Sequence, residues 1–285
     1  MDKVILVNKE KGYTSRDVVN IISKHYKIKK VGHFGTLDPL ACGLLIVGVG
    51  VLTKLDNFDI FNEKEYVATV LVGTSTTTYD ITGDIIREEV FNLDKNYLEE
   101  VLLGFNKTYL QEVPIYSAVK VNGKKLYSYA RNKEKVELPK KEVTISNMKL
   151  LDVYNNDNKT YFKFSCTVSK GTYIRSLIND ISKELGIPLC MSGLVRTRQG
   201  KFSLDNASKI DDIVLDKASL LDIAQVIDLK KMILSDDLYK YVINGNKIDD
   251  LGYDYVLFTD LFDNNIALYK KDKNMMKPCF FFKKD

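Results

Sequence analysis

Residues 31–45 read VGHFGTLDPLACGLL, and this is the stretch on which the fold turns. Gly32 and Gly35 bracket His33, and Gly43 follows, so the backbone can turn tightly here and approach a ligand closely. Asp38 precedes Pro39, which fits two roles: the N-cap of a helix starting at the proline, or a carboxylate nucleophile on a rigid turn. Just downstream, GVGVLTK at residues 48–54 lacks the GxxxxGK[ST] spacing of a phosphate loop and reads as a glycine-flanked strand.

Working outward, residues 3–8 (KVILVN) read as a strand. Thr14 or Ser15 is placed to cap a helix carrying Val18, Ile21, Ile22 and Tyr26 at helical spacing. YVATVLV at residues 66–72 reads as a buried strand, and Asp94 as the cap of a helix through Tyr97, Leu98, Val101 and Leu102. The stretch from Pro114 to Pro139 is polar, basic and rich in tyrosine, which suits a mobile insertion better than core. TYFKFSCTVS, residues 160–169, alternates as a half-exposed strand does. Beyond Gly171, Ile174, Leu177, Ile178, Ile181 and Leu185 share one helix face, which Gly186 and Pro188 stop. Tyr173 and Arg175 fall in the first turn of that helix. There Arg175 can meet a carboxylate across a cleft and favour its ionised form, or lie on an exposed helix face. Strands and helices mix without a βαβ repeat, which predicts an α+β fold. Past about residue 235 come short strands (VLFTD, NIALYK, CFFF) between Gly, Asp and Asn turns, predicting a small all-β unit.

With 285 residues, 45% hydrophobic, 28% charged and a mean hydropathy of -0.16, the chain has a globular composition that excludes disordered and collagen-like classes. The longest apolar run, GLLIVGVGVL at residues 43–52, falls short of the roughly 20 residues a bilayer span needs. MDKVILV is too short in its apolar part for a signal peptide, so the expected compartment is the cytoplasm. Cys42, Cys166, Cys190 and Cys279 show no paired spacing, and only His25 and His33 are present, so no metal centre is expected. The net charge is +4, and residues 236–285 hold 8 Lys and 9 Asp, a net of -1, which leaves +5 on the rest. Basic clusters KHYKIKK (24–30), KVNGKK (120–125) and PKKE (139–142) lie among 17 tyrosines. Cations beside stacking rings are the composition of an RNA surface.

The string GHFGTLDPLACGLLIVGVGVLTK, residues 32–54, closely resembles the GHxGTLDPxAxGxLxxxxGxxTK motif of the TruB family of tRNA pseudouridine synthases, which act on the T-loop uridine at tRNA position 55. KGYTSRDVV (11–19), KEYVATVLVGTSTTTYDITGD (64–84), PIYSAVKVNGKKLYSYAR (114–131), KGTYIRSLINDI (170–181) and LVRTRQGKF (194–202) follow in the family's order. Three departures stand out. Lys9-Glu10-Lys11-Gly12 lacks the usual proline, Thr77 stands where the family commonly has Asp, and Val195 where it commonly has Arg.

The resemblance implies a pseudouridine-synthase-like mixed β-sheet core with flanking helices over residues 1–235, and an RNA-clamping insertion at about 114–140. It also implies a PUA-like RNA-binding unit over residues 236–285. It implies an isomerase that extracts a uridine from the T arm of tRNA as a monomer, with no guide RNA, membrane, metal or cofactor. Asp38 is then the nucleophile, by attack at the anomeric carbon or by taking a ribose proton to form a glycal. Arg175 pairs with it, Tyr66 stacks on the base or relays a proton during isomerisation, Tyr173 and Leu194 line the pocket, and His33 fills the space the base vacates. Lys9 is expected among the phosphate contacts, with Lys54, Lys120 and Lys124. The rival classes are a tRNA-folding chaperone and a guide-dependent subunit.

Overall fold

The apolar string around Leu44 has no polar face to offer water, so it must lie inside a sheet covered on both sides. The computed structural model, which describes residues 1–282, shows how. Ala41–Val49 is a strand, β2, with every residue buried except Cys42. It pairs antiparallel with β1 (Val4–Lys9) on one side and parallel with β7 (Leu189–Gln199) on the other, Leu194 lying opposite Ala41. The sheet continues through β3 (Lys64–Val72), β6 (Lys159–Val168), β5 (Lys140–Asn156) and β4 (Thr108–Glu112).

Alternation along β1 and β2 sends neighbouring side chains to opposite faces. Ile5, Val7, Leu45 and Val47 join a core covered by α1 (Ser15–His25), α2 (Lys95–Gly104) and α3 (Ile174–Leu185). Val4, Leu6, Leu44 and Ile46 face the other way, onto the 3₁₀ segment Gly50–Asn57, Phe58 and Phe61. Leu257, Leu268 and Phe280 of the C-terminal unit reach this second core, so that unit is fastened to the back of the main sheet. It is a five-stranded sheet, as the α+β and PUA-like reading expects. The expected boundary at residue 236 is late: Lys230–Ile233 already belongs to this sheet, paired parallel with Tyr255–Thr259. That strand is only four residues long, two lysines followed by Met232 and Ile233, and shows no alternation that would announce it in the sequence.

Local chemistry sets the helix starts. Thr14 and Asp17 form a capping box, each side chain accepting from the other's backbone N–H. Asp94 accepts from the N–H groups of Asn96 and Tyr97. The insertion is more ordered than its composition suggests. It forms a two-stranded hairpin, Lys120–Val121 with Lys124–Lys125, and a short helix, Leu126–Arg131, anchored by a fully buried Leu126. Among the described residues, no helix is long and apolar enough to cross a membrane.

A buried guanidinium ties these strands together. Arg196 of β7 is 0% exposed; its Nε donates to the Leu44 carbonyl (2.6 Å), Nη2 to the Gly35 carbonyl (3.1 Å) and Nη1 to the Tyr66 hydroxyl (3.4 Å). Gly43, at φ +100°, lets β2 pass this point, because a Cβ there would strike the Arg196 backbone. Removing the guanidinium strands two buried carbonyls. Arg196→Leu is therefore expected to lower the unfolding free energy by about 3 kcal/mol or more, read from urea denaturation.

Candidate active site

Asp38 does not cap a helix. Ala41 N–H donates to the Asp38 carbonyl (3.0 Å), closing a turn at Pro39 from which the chain enters β2. The turn is bound on every side. The Ser15 hydroxyl donates to the Leu37 carbonyl (3.1 Å) and accepts from the Leu37 N–H (2.9 Å). Gly12 N–H donates to the Pro39 carbonyl (2.8 Å), and Gln199 Nε2 to the Phe34 carbonyl (2.6 Å). With Arg196 on Gly35, these bonds fix the backbone and leave the Asp38 carboxylate 41% exposed on its own.

Arg175 meets that carboxylate. It lies in the first turn of α3, almost wholly buried, with Nε 3.0 Å from Asp38 Oδ2 and 3.8 Å from Asp80 Oδ2. Its Nη1 donates to the Thr78 carbonyl (3.3 Å) and its Nη2 to the Tyr116 carbonyl (3.1 Å). Asp80 is buried too; one oxygen accepts from the Thr78 hydroxyl (2.8 Å) and the Thr82 N–H (2.9 Å), while the other faces Arg175. The guanidinium thus has a fixed anion behind it and a solvent-facing anion in front, and it cannot swing away without unpairing a buried charge.

In front of Asp38 lies a cavity of about 350 Å³, walled by Tyr66, Tyr173, Leu194 and Met191 and roofed by Tyr116, Ser117 and Tyr127 of the insertion. Tyr66 is presented by β3 and Leu194 by β7, both largely buried, so two walls belong to the central sheet and do not move with a loop. Tyr173 is held through its backbone. Its N–H donates to Gln111 Oε1 (2.8 Å), Gln111 Nε2 to the Tyr109 hydroxyl (3.0 Å), and that hydroxyl to Asp180 of α3 (3.1 Å). Burial pushes the Tyr173 phenol above its ordinary range, partly opposed by the Ser117 hydroxyl and Arg175, so it stays protonated at neutral pH.

The structure brings together five of the seven residues expected from sequence: Asp38, Tyr66, Tyr173, Arg175 and Leu194. It does not bring Lys9 to a surface. That side chain is fully buried at the end of β1, and its Nζ donates to the carbonyls of Glu10 (3.0 Å) and Tyr13 (2.6 Å). Burial lowers its pKa, with Cys42 and Asp38 opposing. Lys9 is thus a strut for the loop ahead of α1, and the expectation of a phosphate contact is corrected. His33 does not line the cavity either. It sits half-buried on the short strand Val31–His33, with Nδ1 lacking a partner among the described residues, and burial, Arg16 and Arg196 all hold it towards the neutral form. Asp80, Gln111 and Arg196 were not singled out from sequence, and Ser15 only as a candidate helix cap. Asp80 carries a faint signal as an acid inside a Thr-rich turn; the others act through contacts far away in the chain.

Comparison with known proteins agrees with this geometry. Residues 23–174 match the family model described as TruB family pseudouridylate synthase (N terminal domain). The tRNA pseudouridine synthase B of Bacillus subtilis (strain 168) is 42% identical over 252 residues, 85% of this chain and 82% of that protein. The tRNA pseudouridine synthase B of Acholeplasma laidlawii (strain PG-8A) is 38% identical over 287 residues, 99% of this chain and 100% of that protein. Among solved structures, a Cbf5-Nop10-Gar1 complex contains a chain that superposes with a TM-score of 0.70 at 23% identity, covering 99% of this chain and 84% of that one. The last likeness is one of fold. The family model spans the Asp38 turn and the Tyr66 strand, the Acholeplasma laidlawii relative covers nearly the whole chain, and by these likenesses the chain belongs to the TruB family of pseudouridylate synthases.

Proposed function

We propose that the protein isomerises uridine to pseudouridine in the T loop of tRNA, at position 55, as a monomer in the cytoplasm and without a guide RNA. The observation that carries this reading is the Asp38 carboxylate, gripped by Arg175 at 3.0 Å and opening onto an aromatic cavity of about 350 Å³. A cavity of roughly 300–1,000 Å³ suits a small ligand or a single extruded base. A uridine paired and stacked inside a folded loop cannot reach Asp38, so it is everted at a cost of a few kcal/mol. Stacking on Tyr66 and closure by Tyr173 and Leu194 offset part of this and keep water from the detached base.

Isomerisation breaks the bond between ribose C1′ and uracil N1, turns the base, and forms a bond from C1′ to C5, with the C5 proton leaving and N1 taking up a proton. Asp38 acts at the ribose, by attack at C1′ or by removing the 2′ proton to give a glycal; both need its ionised form. Arg175, itself held by Asp80, keeps that charge aimed into the cavity. Residues 1–229 do the chemistry, the insertion at about 114–140 closes over the substrate, and the C-terminal sheet from Lys230 onward adds RNA surface. His33 fills the gap in the RNA stack only if it leaves its half-buried seat when RNA binds.

Asp38→Asn is expected to bring pseudouridine formation on unmodified tRNA transcript, read as tritium release from C5-labelled uridine, below detection. Its affinity for the transcript should stay within about threefold of wild type, since an Asn keeps the shape of the site. Arg175→Lys should lower kcat by about 10²-fold with little change in KM, because an ammonium cannot span both carboxylates and both carbonyls. Activity of the purified wild-type chain on bare transcript is the test against a guide-dependent role, and Asp38→Asn with wild-type turnover would overturn the assignment of the nucleophile.

A further inference from the structure

Lys64 opens β3 two residues before Tyr66, so both side chains leave the strand on the same face. Its side chain runs beneath the turn that carries Asp38. A Cβ placed on Gly35 would lie 3.1 Å from Lys64 Cε, 3.4 Å from Lys64 Nζ and 3.5 Å from Arg196 Nη1, so two cations abut one glycine. Only 9% of Lys64 is exposed. Among the described residues its ammonium has no hydrogen bond and no ion pair, whereas the neighbouring Arg196 guanidinium is occupied by two carbonyls and the Tyr66 hydroxyl. Burial, followed by the fields of Arg196 and Lys170, holds the Lys64 pKa down at about 8; Asp56 opposes this and Lys141 adds to it.

A nine-tenths-buried cation surrounded by other cations is unfavourable unless an anion arrives. The surroundings say where from. Gly35 adjoins Thr36 of the cavity lining, and Lys170 and Gly171 adjoin Thr172 on the opposite lip, with Lys141 lying against Gly171. The positive groups therefore flank the mouth through which a nucleotide reaches Asp38. We infer that Lys64 is a phosphate-binding residue whose ammonium, backed by Arg196 and Lys170, takes a phosphodiester oxygen of the RNA strand next to the everted nucleotide. A phosphodiester suits the place because it keeps its charge at all working pH values and remains attached to the base being extracted. This site rests on the tRNA-isomerase reading above.

The test is the affinity of the full chain for a T-arm stem-loop RNA over a range of salt concentrations. Lys64→Met should bind about tenfold more weakly and show a salt slope smaller by about 1, while Lys64→Arg stays within about threefold of wild type. An RNA with a neutral methylphosphonate beside the target uridine should lose about the same tenfold with the wild-type protein and nothing further with Lys64→Met. Wild-type affinity and slope in Lys64→Met, or losses from the variant and the methylphosphonate that simply multiply, would overturn the site. Should Lys64→Met not fold, as judged by thermal melting, wild-type protein on the methylphosphonate RNA decides: undiminished affinity overturns the site, and a tenfold loss with the smaller slope supports it. Pseudouridine formation by the wild-type chain on the unsubstituted RNA is measured alongside. Turnover with an indifferent Lys64→Met rejects only the phosphate site, whereas no turnover rejects the function.

Discussion

A guanidinium with no ion pair among the described residues sits at the centre of this protein. The Arg196 guanidinium is sealed between β7, β2, β3 and the turn ahead of Asp38, and among the described residues its partners are the dipoles of two carbonyls and a phenol. Such a group tolerates little displacement, since each of its bonds replaces water that cannot return. Three strands and the turn that presents the carboxylate therefore share one anchor. Gly43 makes the anchor possible by leaving the space that the Arg196 backbone fills.

From that anchor the site is assembled by opposing demands. The backbone on either side of Asp38 is tied down, through Ser15, Gly12, Gln199 and Arg196, while its side chain, paired with Arg175, faces a cavity. Among the described residues Arg175 is the ion-pair partner of the carboxylate, and Asp80 keeps Arg175 from drifting forward. The arrangement holds a reactive anion ready without burying it, which suits chemistry at a ribose carbon. Lys64 on the far side of the same turn is the converse case, a cation buried without an ion pair among the described residues, and it is the place inferred for a phosphodiester of the substrate.

Much of this was legible in the residues. The helix through Ile174 and Leu185 and the capped starts at Thr14 and Asp94 follow from local periodicity and capping, which a sequence displays directly. So did Asp38, Tyr66, Tyr173, Arg175 and Leu194, through motif strings that share an order with a known family. Lys9 went astray because a lysine beside a glycine-containing turn looks solvated in sequence, and only the packing of β1 shows its ammonium turned inward onto two carbonyls. The strand Lys230–Ile233 was missed for a related reason: its pairing partner lies beyond a helix, so nothing local marks it.

By itself the sequence determined the class of fold, the strings that carry the chemistry and the carboxylate at their centre, because each depends on neighbours a few positions apart. Only the tertiary structure decided what surrounds that carboxylate. Arg196, Ser15 and Lys64 come to the turn that carries it, and Asp80 to its partner Arg175, from four different parts of the chain, and their roles arise from burial and distance, which exist only once the sheet has closed.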